Sequence, residues 1–286
     1  MVYLNPNPIA FSIGAVSVRW YGLIAALGLL LGYFLAPYIA KCVFKDNDAE
    51  IYQNAIIISA VFGIIGARIL YVMLTWSYFR ENPTYIIRIW DGGLSFHGGL
   101  ILGLIALYAY SRIAKKNFFR ITDAVAAPVA FALGFGRIGN IMNSEILGRA
   151  CYHCWFNFTF ADGIPRYPIQ LYSFFHHMIL AALIVYLMLR FRKTGVGTLA
   201  FLTFYSLFRF IVEFFRLEPV VVGGLDLAQL VSIPIILIAG YFLYKITFGK
   251  SKPKEKTSSE NNKEEPIKEK DAEKESKEDF KEKDNN

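Results

Sequence analysis

The sequence predicts an all-α fold: a polytopic membrane helix bundle of about seven transmembrane helices, with the N-terminus out and the C-terminus in. Three observations predict it. Hydrophobic residues make up 55% of the 286 residues and aromatics 16%, against 19% charged. Soluble domains carry less apolar and more charged sequence. Apolar runs near the ~20 residues that a membrane helix needs recur along the chain. Lys and Arg collect on alternate connections between those runs, which is the pattern of cytoplasmic loops.

The runs lie near Val16–Tyr38, Ala55–Leu74, Leu94–Tyr110, Ile121–Ile141, Ile169–Leu189, Val196–Phe215 and Leu227–Phe248. No basic n-region precedes Arg19 and no small-residue cleavage pattern follows the first run, so that run is expected to remain as a membrane helix. One set of connections holds Lys41 and Lys45, then Arg112, Lys115, Lys116 and Arg120, then Arg190, Arg192 and Lys193. The other set holds Arg80, Arg88, Arg149 and Arg166. The richer set is assigned to the cytoplasm. From Lys250 onward the chain has 11 Lys against 12 Asp or Glu and few apolar residues. Such a segment cannot bury a core. The expected division is a transmembrane domain over 1–249 and a disordered, charged cytoplasmic tail over 250–286. The formal net charge of +7 would also suit a nucleic-acid partner. The apolar runs favour a membrane-embedded protein with no nucleic acid instead.

Polar groups inside apolar helices carry the functional signal. A charge at mid-membrane costs roughly 2.5–3.5 kcal/mol on insertion scales, so it needs a partner or a task. With the direction fixed, Arg68 falls in the outer half of the second span and His97 opens the third. Arg137, Asn140, Asn143 and Glu145 end the fourth, and Gln170 and Tyr172 open the fifth. Arg209, Glu213 and Arg216 lie in the outer half of the sixth, at i, i+4 and i+7 on one face. Five helices thus place polar groups at one depth. Glu213 and Arg216 also read as a structural ion-pair ladder. Arg137, Arg209 and Arg68 read as a positive pocket at headgroup depth, and a guanidinium fork suits a lipid phosphate.

Glycines crowd the same layer: Gly92, Gly93, Gly98, Gly99, Gly103, Gly134, Gly136, Gly139 and Gly148. They suit close helix packing or backbone approach to a ligand. Gly134 to Gly139 matches G-x-G-x-x-G, but it follows an apolar helix, not a strand, and no dinucleotide site is expected. His176 and His177 read as packing or interfacial residues, and Asp123 as a helix cap. Cys151 and Cys154 form a C-x-x-C in an outer loop, with His153 between them. A local disulfide or two thiols is favoured there over a redox or metal site. No metal and no cofactor are expected.

Several blocks resemble the prolipoprotein diacylglyceryl transferase family. They are D-G-G-L-S-F-H-G-G-L (Asp91–Leu100), G-R-I-G-N-I-M-N-S-E-I-L-G-R (Gly136–Arg149) and F-R-F-I-V-E-F-F-R (Phe208–Arg216), with R-W-Y-G-L (Arg19–Leu23) and G-A-R-I-L-Y (Gly66–Tyr71). The likeness runs in order from Ile9 to about Phe248. It implies a bacterial inner-membrane enzyme whose transmembrane domain is catalytic. Such an enzyme moves the diacylglyceryl group of phosphatidylglycerol to the thiol of a prolipoprotein lipobox cysteine, releasing glycerol phosphate and forming a thioether. Its implied partners are phosphatidylglycerol and the lipobox segment. Arg137 resembles the arginine that binds the headgroup. Asn140, Glu145 and Gly148 match residues needed around it. Arg209 and Tyr205 match essential positions of the later helix, and His97, Gly98 and Tyr21 match as well. One block departs: where the family shows H-P-(S/T)-Q-L-Y-E, this chain has Tyr167-Pro168-Ile169-Gln170-Leu171-Tyr172-Ser173.

On this reading the nucleophile comes from the substrate. A free thiol has a pKa of about 8.5 and is mostly protonated at neutral pH. Arg137 and Arg209 are expected to hold the phosphate and stabilise charge on it. His97 is expected to accept the thiol proton. Arg68, Asn143, Glu213 and Arg216 complete the expected substrate-binding set. Two rivals stand beside this reading. A transporter would line a path across the whole membrane, whereas these charges keep to one half. A divergent paralogue, motivated by the altered Tyr167–Ser173 block, would bind anionic phospholipid without transferring it.

Overall fold

A computed structural model describes residues 2–14, 16–217 and 223–249. The tail for which the sequence predicts disorder, and the predicted domain boundary at its start, lie outside the described residues. Among the described residues, seven long apolar helices make the bundle: α1 (Trp20–Phe44), α2 (Ala49–Leu74), then, after the single turn α3 (Trp76–Phe79), α4 (Phe96–Ile113), α5 (Phe118–Met142), α6 (Ile169–Phe191), α7 (Val196–Glu213) and α8 (Leu227–Phe248). Each is long and apolar enough to cross a membrane. This is a multi-pass, all-α membrane protein. Consecutive spans run in opposite directions. The starts of α1, α4, α6 and α8 and the ends of α2, α5 and α7 therefore share one end of the bundle, called here the polar end.

The first predicted run begins too early. Val16–Arg19 is a strand, β3, paired antiparallel with β2 (Ile9–Ile13), and the helix starts at Trp20. Alternating residues such as Val16, Ser17, Val18 and Arg19 have a strand's period of two. Their hydrophobicity alone merged them with the helix behind. Another difference is at α2, which starts at Ala49 because Asp48, Glu50, Tyr52 and Gln53 extend the helix below the apolar run. A small sheet also escapes hydropathy: β1 (Val2–Tyr3) runs parallel to β4 (Phe158–Thr159), which pairs antiparallel with β5 (Pro165–Arg166).

Packing follows residue size, as expected where lipid tails give helices no hydrophobic reason to associate. Gly66 and Gly98 bring α2 and α4 together. A Cβ on either would collide with the carbonyl oxygen of the other, and one on Gly99 would stand 3.1 Å from the Gly63 carbonyl. α5 is the central helix. Its buried Ala126, Ala127 and Ala130 let Ile39 and Val43 of α1 and Leu180 and Ile184 of α6 close around it.

Asp123 does cap a helix, but not its own. Fully buried on α5, it accepts hydrogen bonds from Gly195 N (2.6 Å) and Thr198 N (2.7 Å), the exposed donors at the start of α7. The cap of α5 itself is Asn117, whose side chain accepts from Phe119 N at 2.9 Å. At the polar end, Asp226 and Gln229 form a reciprocal capping box that opens α8.

Candidate functional site

Arg137 lies five residues before the end of α5, which places it about 7.5 Å inside the helix at 1.5 Å per residue. It stands within electrostatic reach of Tyr21, Tyr205, Arg209 and Arg216. Its hydrogen-bond partner among the described residues is a neutral amide, Asn140 Oδ1, at the limiting distance of 3.5 Å. Its Nε is buried with no protein acceptor. On α7, buried Glu213 sits between Arg209 at 3.2 Å and Arg216 at 3.0 Å. The ladder reading and the pocket reading therefore both hold. Glu213 fixes the Arg209 guanidinium of its own helix and that of Arg216 just past the helix end, and Arg137 faces them from α5.

The chain between α5 and α6 makes the rim. Asn140 Nδ2 and Asn143 Nδ2 each donate to the Glu145 carboxylate at 3.3 Å. Gln170 Nε2 donates to the Glu145 carbonyl at 3.1 Å. Ser144 and Ile146 both hold positive φ, at 52° and 55°. Side chains rarely accept that conformation, least of all the β-branched isoleucine. The turn is held by pairing on both sides. Leu217 N donates to Leu147 O at 2.9 Å and Arg149 N to Phe215 O at 2.8 Å. Gly148 bridges to Arg216, and a Cβ there would strike the Tyr167 carbonyl oxygen. The departing Tyr167–Ser173 block packs into this rim: the Tyr167 ring lies 5.1 Å from that of Phe215.

Tyr21 at the start of α1 lies against Gly139, where a Cβ would be 2.8 Å from its ring. Beside Gly136, the neighbour of Arg137, nothing stands within 4 Å of where a Cβ would be. Two apolar grooves run along α5 away from the polar end. One of about 290 Å³ lies between α1 and α5, lined by Leu27, Gly28, Leu31, Phe131 and Phe135. The other, about 620 Å³, is bounded by Leu35 of α1, Ala127 and Phe131 of α5, and Met178, Ala182 and Val185 of α6.

Three expected site residues take other places. Arg68 is buried, and its five N–H donors go to main-chain oxygens: Nε to Ile86 (2.8 Å), Nη1 to Gly92 (2.7 Å) and Gly93 (2.9 Å), and Nη2 to Tyr85 and Arg88. It pins the connection between α2 and α4, and no donor is left for an anion. Gly98 is filled by the backbone of Gly66 across the α2–α4 seam. His97 is exposed on the first turn of α4, and its ring contact among the described residues is Phe96 at 5.8 Å. Sequence depth gives the layer of a residue but not the direction of its side chain.

His176 and His177, expected as packing or interfacial residues, are packed between α6 and α7: His177 is buried and the His176 ring stacks on Phe208 at 3.7 Å. Both stand within electrostatic reach of Arg137.

Cys151 and Cys154 form a disulfide with a Cα–Cα distance of 5.6 Å, which closes the alternative left open by the sequence. Nearby, the Arg166 guanidinium 2.6 Å from Asp162 holds that carboxyl below its ordinary range. Among the described residues, no group of three His, Cys, Asp or Glu could hold a metal ion.

Comparison with known proteins gives the family. A family described as prolipoprotein diacylglyceryl transferase matches residues 8–245. Proteins named phosphatidylglycerol–prolipoprotein diacylglyceryl transferase are similar over nearly their whole lengths. The one from Mannheimia succiniciproducens is 37% identical over 246 residues, covering 83% of this chain and 91% of its own. That from Rickettsia africae is 37% identical over 254 residues, covering 85% and 98%. In Clostridium botulinum the figures are 34% over 248 residues, 84% and 97%.

Proposed function

The chain belongs to the prolipoprotein diacylglyceryl transferase family, and from that membership we propose that it transfers the diacylglyceryl group of phosphatidylglycerol to the lipobox cysteine of prolipoproteins. The observation that carries the reading is the meeting of Arg137 with Arg209 and Arg216 at the polar end, beside apolar grooves. A phosphodiester with two acyl chains has the same division: an anion at one end, two hydrocarbon tails at the other.

The enzyme sits in the bacterial inner membrane with its N-terminus out, the polar end facing the periplasm; the excess of Lys and Arg on the opposite loops supports this direction. The headgroup phosphate lies between Arg137 and Arg209. Arg137 has donors without acceptors, and Arg209 is steadied by Glu213. Tyr21 and Tyr205 flank Arg137. Asn140, Asn143, Glu145 and Gly148 shape the rim where the peptide enters. Arg68 and Gly98 act one step back, by holding α2, α4 and their connection in place. The acyl chains follow the grooves along α5.

In the reaction, the lipobox sulfur bonds to the terminal glyceryl carbon, the bond from that carbon to the phosphate oxygen breaks, and glycerol phosphate leaves. The guanidinia contribute where charge grows, because the leaving phosphate gains a negative charge as the bond breaks. Fixed donors in a site sheltered from water need no reorganisation to meet it.

The test is transfer from acyl-labelled phosphatidylglycerol to a lipobox peptide by the purified protein in detergent. Label should move to the cysteine, and should not when phosphatidylethanolamine is the only phospholipid. Tight phosphatidylglycerol binding with no labelled peptide would mark a lipid-binding paralogue and end the transferase reading.

A further inference from the structure

Beside the arginine layer, the rim holds a second group with chemistry of its own, the disulfide between Cys151 and Cys154. A disulfide stabilises a fold mainly by removing chain entropy, and it removes more when it closes a longer loop. This one encloses only Tyr152 and His153, so it is a weak staple for the protein as a whole. Its place is what distinguishes it. The chain from Leu147 to Cys151 runs between two neighbours and is paired with both. On one side Leu217 N donates to Leu147 O, Arg149 N to Phe215 O, and Arg149 Nε to Arg216 O at 3.0 Å. On the other, Tyr167 N donates to Arg149 O (3.1 Å), Cys151 N to Pro165 O (2.7 Å) and Arg166 Nη1 to Gly148 O (3.2 Å). The disulfide clips the last residue of this paired run. Three residues back, about 10 Å along an extended chain, Gly148 stands opposite Arg216. The Arg216 guanidinium in turn shares Glu213 with Arg209.

The two half-cystines are not equally reachable. Cys151 is buried, whereas Cys154 is partly exposed. The turn around them stands clear of the protein: Tyr152 is 70% exposed and Trp155 98%. Exposed disulfides are the labile ones, and exchange begins with a thiolate attacking an accessible sulfur. Beyond the turn the chain is held again, where Phe158–Thr159 pairs with β1 and β5. Opening the bond therefore frees one turn and the outer end of the paired run, and leaves the small sheet in place.

We infer that this disulfide is a thiol–disulfide exchange site that takes a dithiol reductant, and that its opening loosens the rim where the lipobox segment enters. The second half of the inference rests on the transferase reading above. A thiolate of the reductant attacks Cys154 Sγ. The bond to Cys151 breaks with its electron pair on Cys151 Sγ, which takes a proton. The second thiolate of the reductant then attacks its own sulfur in the mixed disulfide, and Cys154 leaves as a thiolate and is protonated. Two electrons and two protons have passed to the protein, and the reductant has become a disulfide. In the oxidised protein Cys151 is held against Pro165. In the reduced protein that pairing frays from its outer end toward Gly148.

The test uses full-length protein in detergent, phosphatidylglycerol and a freshly reduced lipobox peptide under argon, before and after treatment with dithiothreitol. Alkylation and mass analysis locate the thiols that appear. Cys151 and Cys154 should both become alkylated while the protein stays folded. KM for the peptide should then rise about tenfold, the scale of the closure entropy of so short a ring, with kcat and the KM for phosphatidylglycerol held within about twofold. Reoxidation should restore the first value. The double variant Cys151→Ser, Cys154→Ser should show the high KM from the start and ignore the reductant. It keeps Cys42, so a response that persists in it comes from Cys42 or the peptide and overturns the inference. An unchanged KM with both thiols free does so too, as does a disulfide that dithiothreitol opens only when the protein unfolds. If the double variant fails to fold, wild type decides by reversal: a KM that stays high once the bond has re-formed overturns the inference. A wild type that transfers nothing in either state, while its disulfide still opens in the folded protein, sinks the transferase reading and not the exchange site.

Discussion

The two ends of the bundle treat buried polarity in opposite ways. At the end away from the site, donors and acceptors are matched. Asp46 accepts from Lys116 Nζ (2.8 Å) and Tyr52 Oη (3.0 Å), and Lys116 also meets Asp48 at 2.6 Å. Asp123 receives Gly195 N, Thr198 N and Thr198 Oγ1. At the polar end, Arg137 Nε, Asn143 Oδ1, Gln170 Oε1, His176 Nδ1 and His177 Nε2 are all buried without a protein partner. One fold thus shows matched polarity at one end and buried, unpartnered polar atoms at the other. The difference is a sharper guide to function than the number of charges at either end.

The largest test of this contrast is Arg137→Ala. It should lower transfer by about 10³-fold, the cost of losing a charged donor aimed at developing charge. Thermal stability should stay level or rise, because a half-buried cation without a carboxylate partner is removed. If activity survives, or if the protein melts early, Arg137 is structural and the two ends are alike. Asp123→Asn should do the reverse. The asparagine NH₂ would face the N–H groups that the carboxylate now accepts, and stability should fall by about 2–3 kcal/mol. Melting in detergent measures it. The rate per folded molecule should remain, since Asp123 belongs to the other end.

Much of this was legible in the sequence, and the unequal legibility has a physical cause. Hydropathy marks every span because lipid requires length and apolarity. The layer containing Arg137, Arg209 and Glu213 follows from counting along those spans. Rotation about each helix axis does not follow. Arg68 shares that layer yet turns into the connection it pins, and Gly98 faces α2. His176 and His177 share helix α6 with Tyr172, but which ring nitrogen of each is left unpartnered emerges only from the packing around the rings. The β2–β3 hairpin was hidden for another reason: the valines of β3 run directly into the apolar helix that follows.

The smallest expected effect sharpens the comparison through pH. Burial alone would raise the Asp46 carboxyl. The Lys116 ammonium, the Asp48 amide and the Tyr52 hydroxyl outweigh it, and the carboxyl is held below its ordinary value. A group lowered on folding stabilises the protein above its unfolded pKa of about 3.9. That contribution is lost as pH falls through the folded value. Lys116 is raised by its hydrogen bonds to Asp46 and then Asp48. Its contribution is present below its unfolded pKa of about 10.4 and is lost as pH rises through the folded value. Between about pH 5 and pH 9 the pair should therefore be constant. Asp46→Asn should cost about 1 kcal/mol across that window, the scale of one charge-assisted bond near the surface. In melts at stepped pH the difference from wild type should shrink as pH falls below the unfolded value of about 3.9 and vanish once pH is below the folded one. A difference that tracks pH between 5 and 9 would mean that this end also holds a group titrating there, and the matched end would no longer be matched.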